Sequence, residues 1–126
     1  MEPPDDITTR LRRALGAALK ARDTSAVSAL RSALSAIGNA EAVEADPGRP
    51  AGTGSPHFAG TVAGLGAGEA KRRHLTEADV TAIVRAEAAE REAAAAEYER
   101  GGYAEEAARL RGGIQVLIAA LTSSLA

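Results

Sequence analysis

The side chains with the most evident capacity for chemistry are seven glutamates in the C-terminal half: Glu87, Glu90, Glu92, Glu97, Glu99, Glu105 and Glu106. Two carboxylates can divide general acid and general base roles when their surroundings push their pKa values apart. That requires a pocket, and no histidine stands near them in sequence. The plainer reading, a solvated acidic helix face, is preferred. The chain has no cysteine, so a nucleophile would have to be Ser, Thr, Lys or a carboxylate with a base beside it. The two histidines, His57 and His74, fall in neither an H-E-x-x-H nor an E-x-x-H arrangement, which leaves zinc hydrolysis and di-iron chemistry without ligands. His74 reads as a solvated residue just ahead of a helix. No G-x-x-x-x-G-K-[ST] loop occurs, and the glycine-rich stretch does not join a strand to a helix, as a dinucleotide fingerprint must. No catalytic residue, cofactor site or metal ligand is expected.

The cations form two groups: Arg10, Arg12, Arg13, Lys20 and Arg22, and then Lys71, Arg72 and Arg73. Such runs usually serve solubility, but guanidinium forks also match phosphate geometry. Aromatic residues make up 2% of the chain, too few for base-stacking platforms. A nucleic acid would therefore be held by shape and backbone, and salt would weaken the contact. From Leu75 onward nine acids face five arginines, which confines such binding to one side.

These residues must be positioned by a chain of 126 residues with net charge −2, long enough for one domain. The hydrophobic fraction is 45%, yet Leu, Ile, Val and Phe together reach only about 18%, under the ~20% that warns of disorder. Alanine fills the difference, so a thin core with part of the chain loose is expected. No apolar run approaches a membrane span, and MEPPDDITTR lacks the basic-then-apolar layout of a signal peptide. A cysteine-free chain suits a reducing cytoplasm. Abundant Ala, Arg and Gly beside scarce Lys is a bias of GC-rich bacterial coding.

Apolar spacing predicts four helices. The first spans about residues 6–22, with Asp5 and Asp6 at its start and Ile7, Leu11, Leu15, Ala18 and Leu19 on one face. Asp23 and Thr24 cap a second, about 25–42, with the stripe Val27, Leu30, Leu34 and Ile37; the short connection makes an antiparallel hairpin. Residues 45–70 lose all periodicity and read as a flexible Gly/Pro loop, onto which Phe58, Val62 and Leu65 offer apolar tacks. The third helix starts with a capping box, Thr76 and Asp79, and a staple, Leu75 and Val80. It ends near Arg100 at Gly101 and Gly102. Its apolar stripe is early (Val80, Ile83, Val84), and its alanine-rich second half reads as partly solvated, with Glu87 and Arg91 as a surface pair. The fourth, about 103–123, has the densest stripe: Leu110, Ile114, Leu117, Ile118, Leu121 and Leu125. Gly112 and Gly113 inside it allow either close packing or a bend.

ALKARD (18–23), SALRSALSAIGNAE (28–41), LTEADV (75–80), AEREAAAAEYERGG (89–102) and GIQVL (113–117), taken in order, resemble the GatB/YqeY family over about 100 residues. The resemblance implies an all-α module like the helical tail of GatB, the subunit of the glutamine-dependent tRNA amidotransferase whose tail contacts tRNA. It implies association with tRNA and carries over no catalytic residue. The chain departs from the family at Gly102–Tyr103, where Gly-Arg is usual, and at Ala120, Leu121 and Thr122, where Tyr-Leu-Pro is common. With the sequence ending at Ala126, the family's small C-terminal helical subdomain is expected to be absent.

The combined expectation is one all-α, four-helix domain over 1–126, of the GatB/YqeY N-terminal type. It would act as a non-catalytic, cytoplasmic accessory module that meets tRNA through Arg10, Arg12, Arg13, Lys20, Arg22, Lys71, Arg72 and Arg73. The alternative is a protein–protein adaptor or homodimer, docking through an exposed fourth-helix stripe of Leu110, Ile114, Leu117 and Leu121. Carbon–nitrogen ligase activity with glutamine as nitrogen donor is the weakest reading, resting on the family label. No cofactor, metal or membrane partner is expected.

Overall fold

A helix leaves four N–H groups unsatisfied at its start, and this chain supplies side chains for them at each of three helix starts. In the computed structural model, which describes residues 6–45 and 74–122, the elements are α1 (Ile7–Ala21), α2 (Thr24–Ala45), α3 (Glu77–Arg100) and α4 (Ala104–Thr122), with no strand among the described residues. The Asp6 carboxylate accepts from the Thr9 N–H at 2.8 Å. Hydrogen bonds from Thr9, helped by Arg12 and Arg10, hold that carboxyl below its ordinary value. Asp23 accepts from the Ala26 N–H at 3.1 Å and opens α2. At α3 the capping box closes in both directions: Asp79 N–H donates to Thr76 Oγ1 at 3.0 Å, and Thr76 N–H to Asp79 Oδ2 at 2.9 Å. Leu75 and Val80, the two staple residues, are both buried.

The four helices share one core. Ile7, Leu11 and Ala18 of α1 meet Ala26, Ala29, Leu30, Ala33 and Ile37 of α2, Val80, Val84 and Ala88 of α3, and Leu117 and Ala120 of α4. Leu11, Leu30, Leu117 and Val84 are its largest fully buried side chains. Small residues elsewhere on the contact faces let the helices approach closely. A Cβ on Gly113 would meet Ala29 Cβ and the Ser25 carbonyl oxygen at 3.0 Å, whereas Gly112 has open space around it. Of the two roles the paired glycines allowed, Gly113 serves close packing against α2.

Cross-links fix how the helices run. The Ile7 N–H donates to Glu77 Oε1 at 3.0 Å, so the α3 start caps the α1 start. Arg10 Nε donates to the Ala120 carbonyl at 2.7 Å, which sets the α4 end beside them. Arg91 Nη2 reaches Ser28 and Ser32 near the α2 start, and Gly113 abuts Ser25 and Ala29. The final nine or so residues of α3 and the first nine or so of α4 therefore run past the α2 start, projecting roughly 13 Å at 1.5 Å per residue.

Two expectations are corrected. Leu19, assigned to the core face of α1, is 48% exposed. Each i+4 step advances about 40° beyond a full turn, so Ile7, Leu11, Leu15 and Leu19 wind progressively off the buried side while Ala18 stays on it. The second half of α3 is partly solvated, as expected, with Ala95 buried outside the main core, where α3 and α4 cover one another. The second helix continues to Ala45, so residue 45 belongs to it. Residues 46–73 and 123–126, with the expected flexible loop, His57, Phe58, Val62, Leu65 and Leu125, lie outside the described residues.

Candidate functional site

α1 carries Arg10, Arg12, Arg13 and Lys20 and no acidic residue. At about 100° per residue, Arg12, Arg13 and Lys20 fall opposite the buried Ile7, Leu11 and Ala18, and all three are exposed. They share one outer face, with Arg12 and Lys20 roughly 12 Å apart along the axis. Arg10 does not join them. It is half-buried, and its Nε is committed to the last-turn carbonyl of Ala120, one of the acceptors α4 cannot satisfy internally. Arg22 sits beyond the helix in the left-handed region, φ 59°, exposed at the turn. Lys71, Arg72 and Arg73 lie outside the described residues.

The fourth-helix stripe is placed differently from expectation. Leu117 is fully buried, and Ile114 and Leu121 are half-buried against the same core; Leu110 is half-buried too. The stripe is the seam by which α4 touches the other helices, so among the described residues it is not a free apolar face for a partner. Ile118, 100° round from Leu117, is 40% exposed and is the large apolar residue of α4 that remains outside among the described residues.

Five of the seven glutamates, Glu92, Glu97, Glu99, Glu105 and Glu106, are spread over the projecting hairpin as ion-pair partners. Glu92 receives both Arg111 Nη2 at 2.8 Å and Nε at 3.1 Å, and Glu99 receives Arg111 Nη1 at 3.0 Å. Hydrogen bonding from Arg111 lowers the Glu92 carboxyl below its ordinary range, and the two carboxylates raise the Arg111 guanidinium further. Arg109 pairs with Glu106 at 2.8 Å and Glu105 at 3.8 Å, and Arg100 with Glu97 at 3.5 Å. No charged side chain is buried among the described residues, and none of their carboxylates and histidines group to hold a metal. The paired, enclosed carboxylates that acid–base work needs are not assembled there.

Arg91 does not pair with Glu87. Its Nη2 donates to Ser28 Oγ at 3.2 Å and Ser32 Oγ at 3.1 Å, while its Nε is buried with no partner. Beside it is a notch of about 210 Å³, lined by Thr24, Ser25 and Ser28 of α2, Arg91 of α3, and Arg109 and Leu110 of α4. A wider depression of about 510 Å³ lies at the hairpin tip, against Ala93, Ala94, Glu97, Tyr98, Gly101 and Tyr103. There Tyr98 and Tyr103 meet edge to face, ring centroids 6.1 Å apart and planes at 83°. Sequence reading passed over this pair. The signal was present: a tyrosine on each side of a Gly-Gly helix end, at the two positions that touch when a left-handed glycine closes the turn.

No helix among the described residues is long and apolar enough to cross a membrane. Comparison with protein-family models, with curated proteins and with solved structures gives no match.

Proposed function

We propose that this chain is a non-catalytic, cytoplasmic helical module of GatB/YqeY type that contacts tRNA, through its phosphate backbone, on the outer face of α1. The observation that carries the reading is charge segregation. Arg12, Arg13 and Lys20 lie together on the exposed side of a helix with no acid, while the α3–α4 hairpin is acid-rich. A cationic stripe on a rigid helix suits backbone contacts, which position a nucleic acid without reading its bases. The acidic hairpin would repel the same ligand and so orient it.

The test is fluorescence anisotropy of the full chain with labelled bulk tRNA at two salt concentrations and with heparin as competitor. Binding should weaken with salt, and removing Arg12, Arg13 and Lys20 together should lower the log–log salt slope by about one per cation that meets a phosphate. Absence of binding at low salt, or binding unchanged in the triple variant, overturns the reading.

A second reading, a protein–protein adaptor, draws on the exposed Tyr98 and Tyr103 at the projecting tip, since tyrosines are favoured contact residues. Capture of a protein partner that is lost on Tyr103→Ala, with no tRNA binding, would select it.

A further inference from the structure

We infer that the notch between α2 and the base of the α3–α4 hairpin is a binding site for a single phosphate group, either the free ion or a small phosphomonoester. The inference is independent of the tRNA reading, which uses a different helix and a different face.

In the projecting hairpin Arg100, Arg109 and Arg111 each pair with a glutamate. Arg91 instead bonds two hydroxyl oxygens and leaves a buried Nε unbonded. Hydroxyls satisfy donors without offsetting a positive charge, so a half-buried guanidinium in this state calls for an anion. The notch beside it supplies the remaining partners. Ser28 Oγ accepts from Arg91, which leaves its own hydrogen to donate elsewhere; Thr24 and Ser25 bring two further hydroxyls to the same wall. Across the notch is Arg109, whose guanidinium has five N–H donors, not all of them engaged by Glu105 and Glu106.

Size limits the ligand. A space of about 210 Å³ is below the roughly 300–1,000 Å³ of pockets that enclose organic ligands, and it admits one tetrahedral oxyanion. Two guanidinium groups and three hydroxyls can each donate, the complement of a dianion's oxygens. Glu105 and Glu106, which pair with Arg109, compete with the anion and keep its affinity weak.

The experiment is an NMR titration of the full chain with sodium phosphate, against sodium chloride at matched ionic strength, following Ser25 and Ser28 amides and the Arg91 Nε–H. Phosphate should give saturable shifts at these positions that chloride does not. Arg109→Gln, a substitution of an exposed side chain, should weaken binding about fivefold to tenfold, and Arg91→Lys should weaken it further. The α1 variants lacking Arg12, Arg13 and Lys20 should bind phosphate normally, which keeps failure of this inference separate from failure of the tRNA reading. A parallel titration with glycerol 2-phosphate separates the two ligand sources: shifts from phosphate alone mark a site for the free ion, and shifts from both mark one open to monoesters. Linear shifts equal to those in chloride, or phosphate affinity unaltered by Arg109→Gln, would overturn it.

Discussion

The α1–α2 and α3–α4 connections close with one hydrogen-bond pattern and opposite supporting chemistry. At the first, Asp23 N–H donates to the Ala18 carbonyl at 3.0 Å and Arg22 N–H to that of Leu19 at 3.2 Å. At the second, Tyr103 N–H donates to the Tyr98 carbonyl at 2.8 Å and Gly102 N–H to that of Glu99 at 3.1 Å. Both are Schellman closures, which place one residue in the left-handed region. The first puts Arg22 there at φ 59°, the second Gly102 at φ 89°. The first turn joins helices whose inner faces lie in the main core, so tertiary packing can hold a residue in a conformation it disfavours. The second turn stands clear of that core. Local devices hold it instead: a glycine, an edge-to-face tyrosine pair, buried Ala95 and Ala107, and the Arg111 ion pairs. Where the core is distant, the sequence near the turn carries more of the structure.

Substitutions can test that division, beginning with the largest effect. Leu30→Ala or Leu117→Ala removes a fully buried side chain from the shared core and should cost about 2–5 kcal/mol. Denaturant unfolding followed by helical signal should remain a single transition; separate melting of the two hairpins would break the picture of one core. Next comes the left-handed residue itself. Gly102→Ala should cost about 1–2 kcal/mol, because a Cβ is disfavoured there, whereas Arg22→Gly should be neutral or gain up to about 1 kcal/mol. Thermal melts of the two variants should therefore move in different directions, and equal losses would contradict the shared geometry.

Within α4, Gly112→Ala should stabilise by about 1 kcal/mol through helix propensity. Gly113→Ala should lose that gain and more, since its Cβ would press on Ala29 and on a backbone oxygen that cannot swing aside. Melting temperatures on either side of wild type check this.

The smallest effect is electrostatic and confined to the projecting hairpin. Glu92 has a lowered folded pKa, so its ion pair adds stability that is fully present above the unfolded value, about 4.3, and fades as pH falls through the folded value. Amide protection factors near the α3 end, taken relative to intrinsic exchange at each pH, should fall in acid and in high salt, and Glu92→Gln should remove most of that dependence. The main core should show none of it.

What was readable in advance follows the range of the interactions. The capping box at Thr76 and Asp79, the cap at Asp6 and the Gly101–Gly102 stop all depend on neighbours within a few positions, and spacing discloses them. The exposed cations of α1 were readable for the same reason, as they lie opposite an apolar stripe. Leu19 was misplaced because each i+4 step looks like a core repeat by itself, while the drift of about 40° per step accumulates from Ile7 and carries Leu19 off the buried side. The Leu117 stripe was assigned to the outside because nothing in its own helix shows that α1, α2 and α3 cover it.

The sequence by itself determined the all-α class, the four helices, their caps and the charge contrast between α1 and the α3–α4 pair. These are set by hydrogen bonds and periodicities spanning about one helical turn. Only the tertiary structure decided that Glu77 caps a helix 70 residues away, that Arg10 is committed to a carbonyl 110 residues away, and that Arg91 turns from Glu87 to two serines of α2. Each of these side chains had a nearer alternative in solvent or on its own helix. The choice among them is made by which helices pack together, and that is a property of the assembled core, not of any one segment.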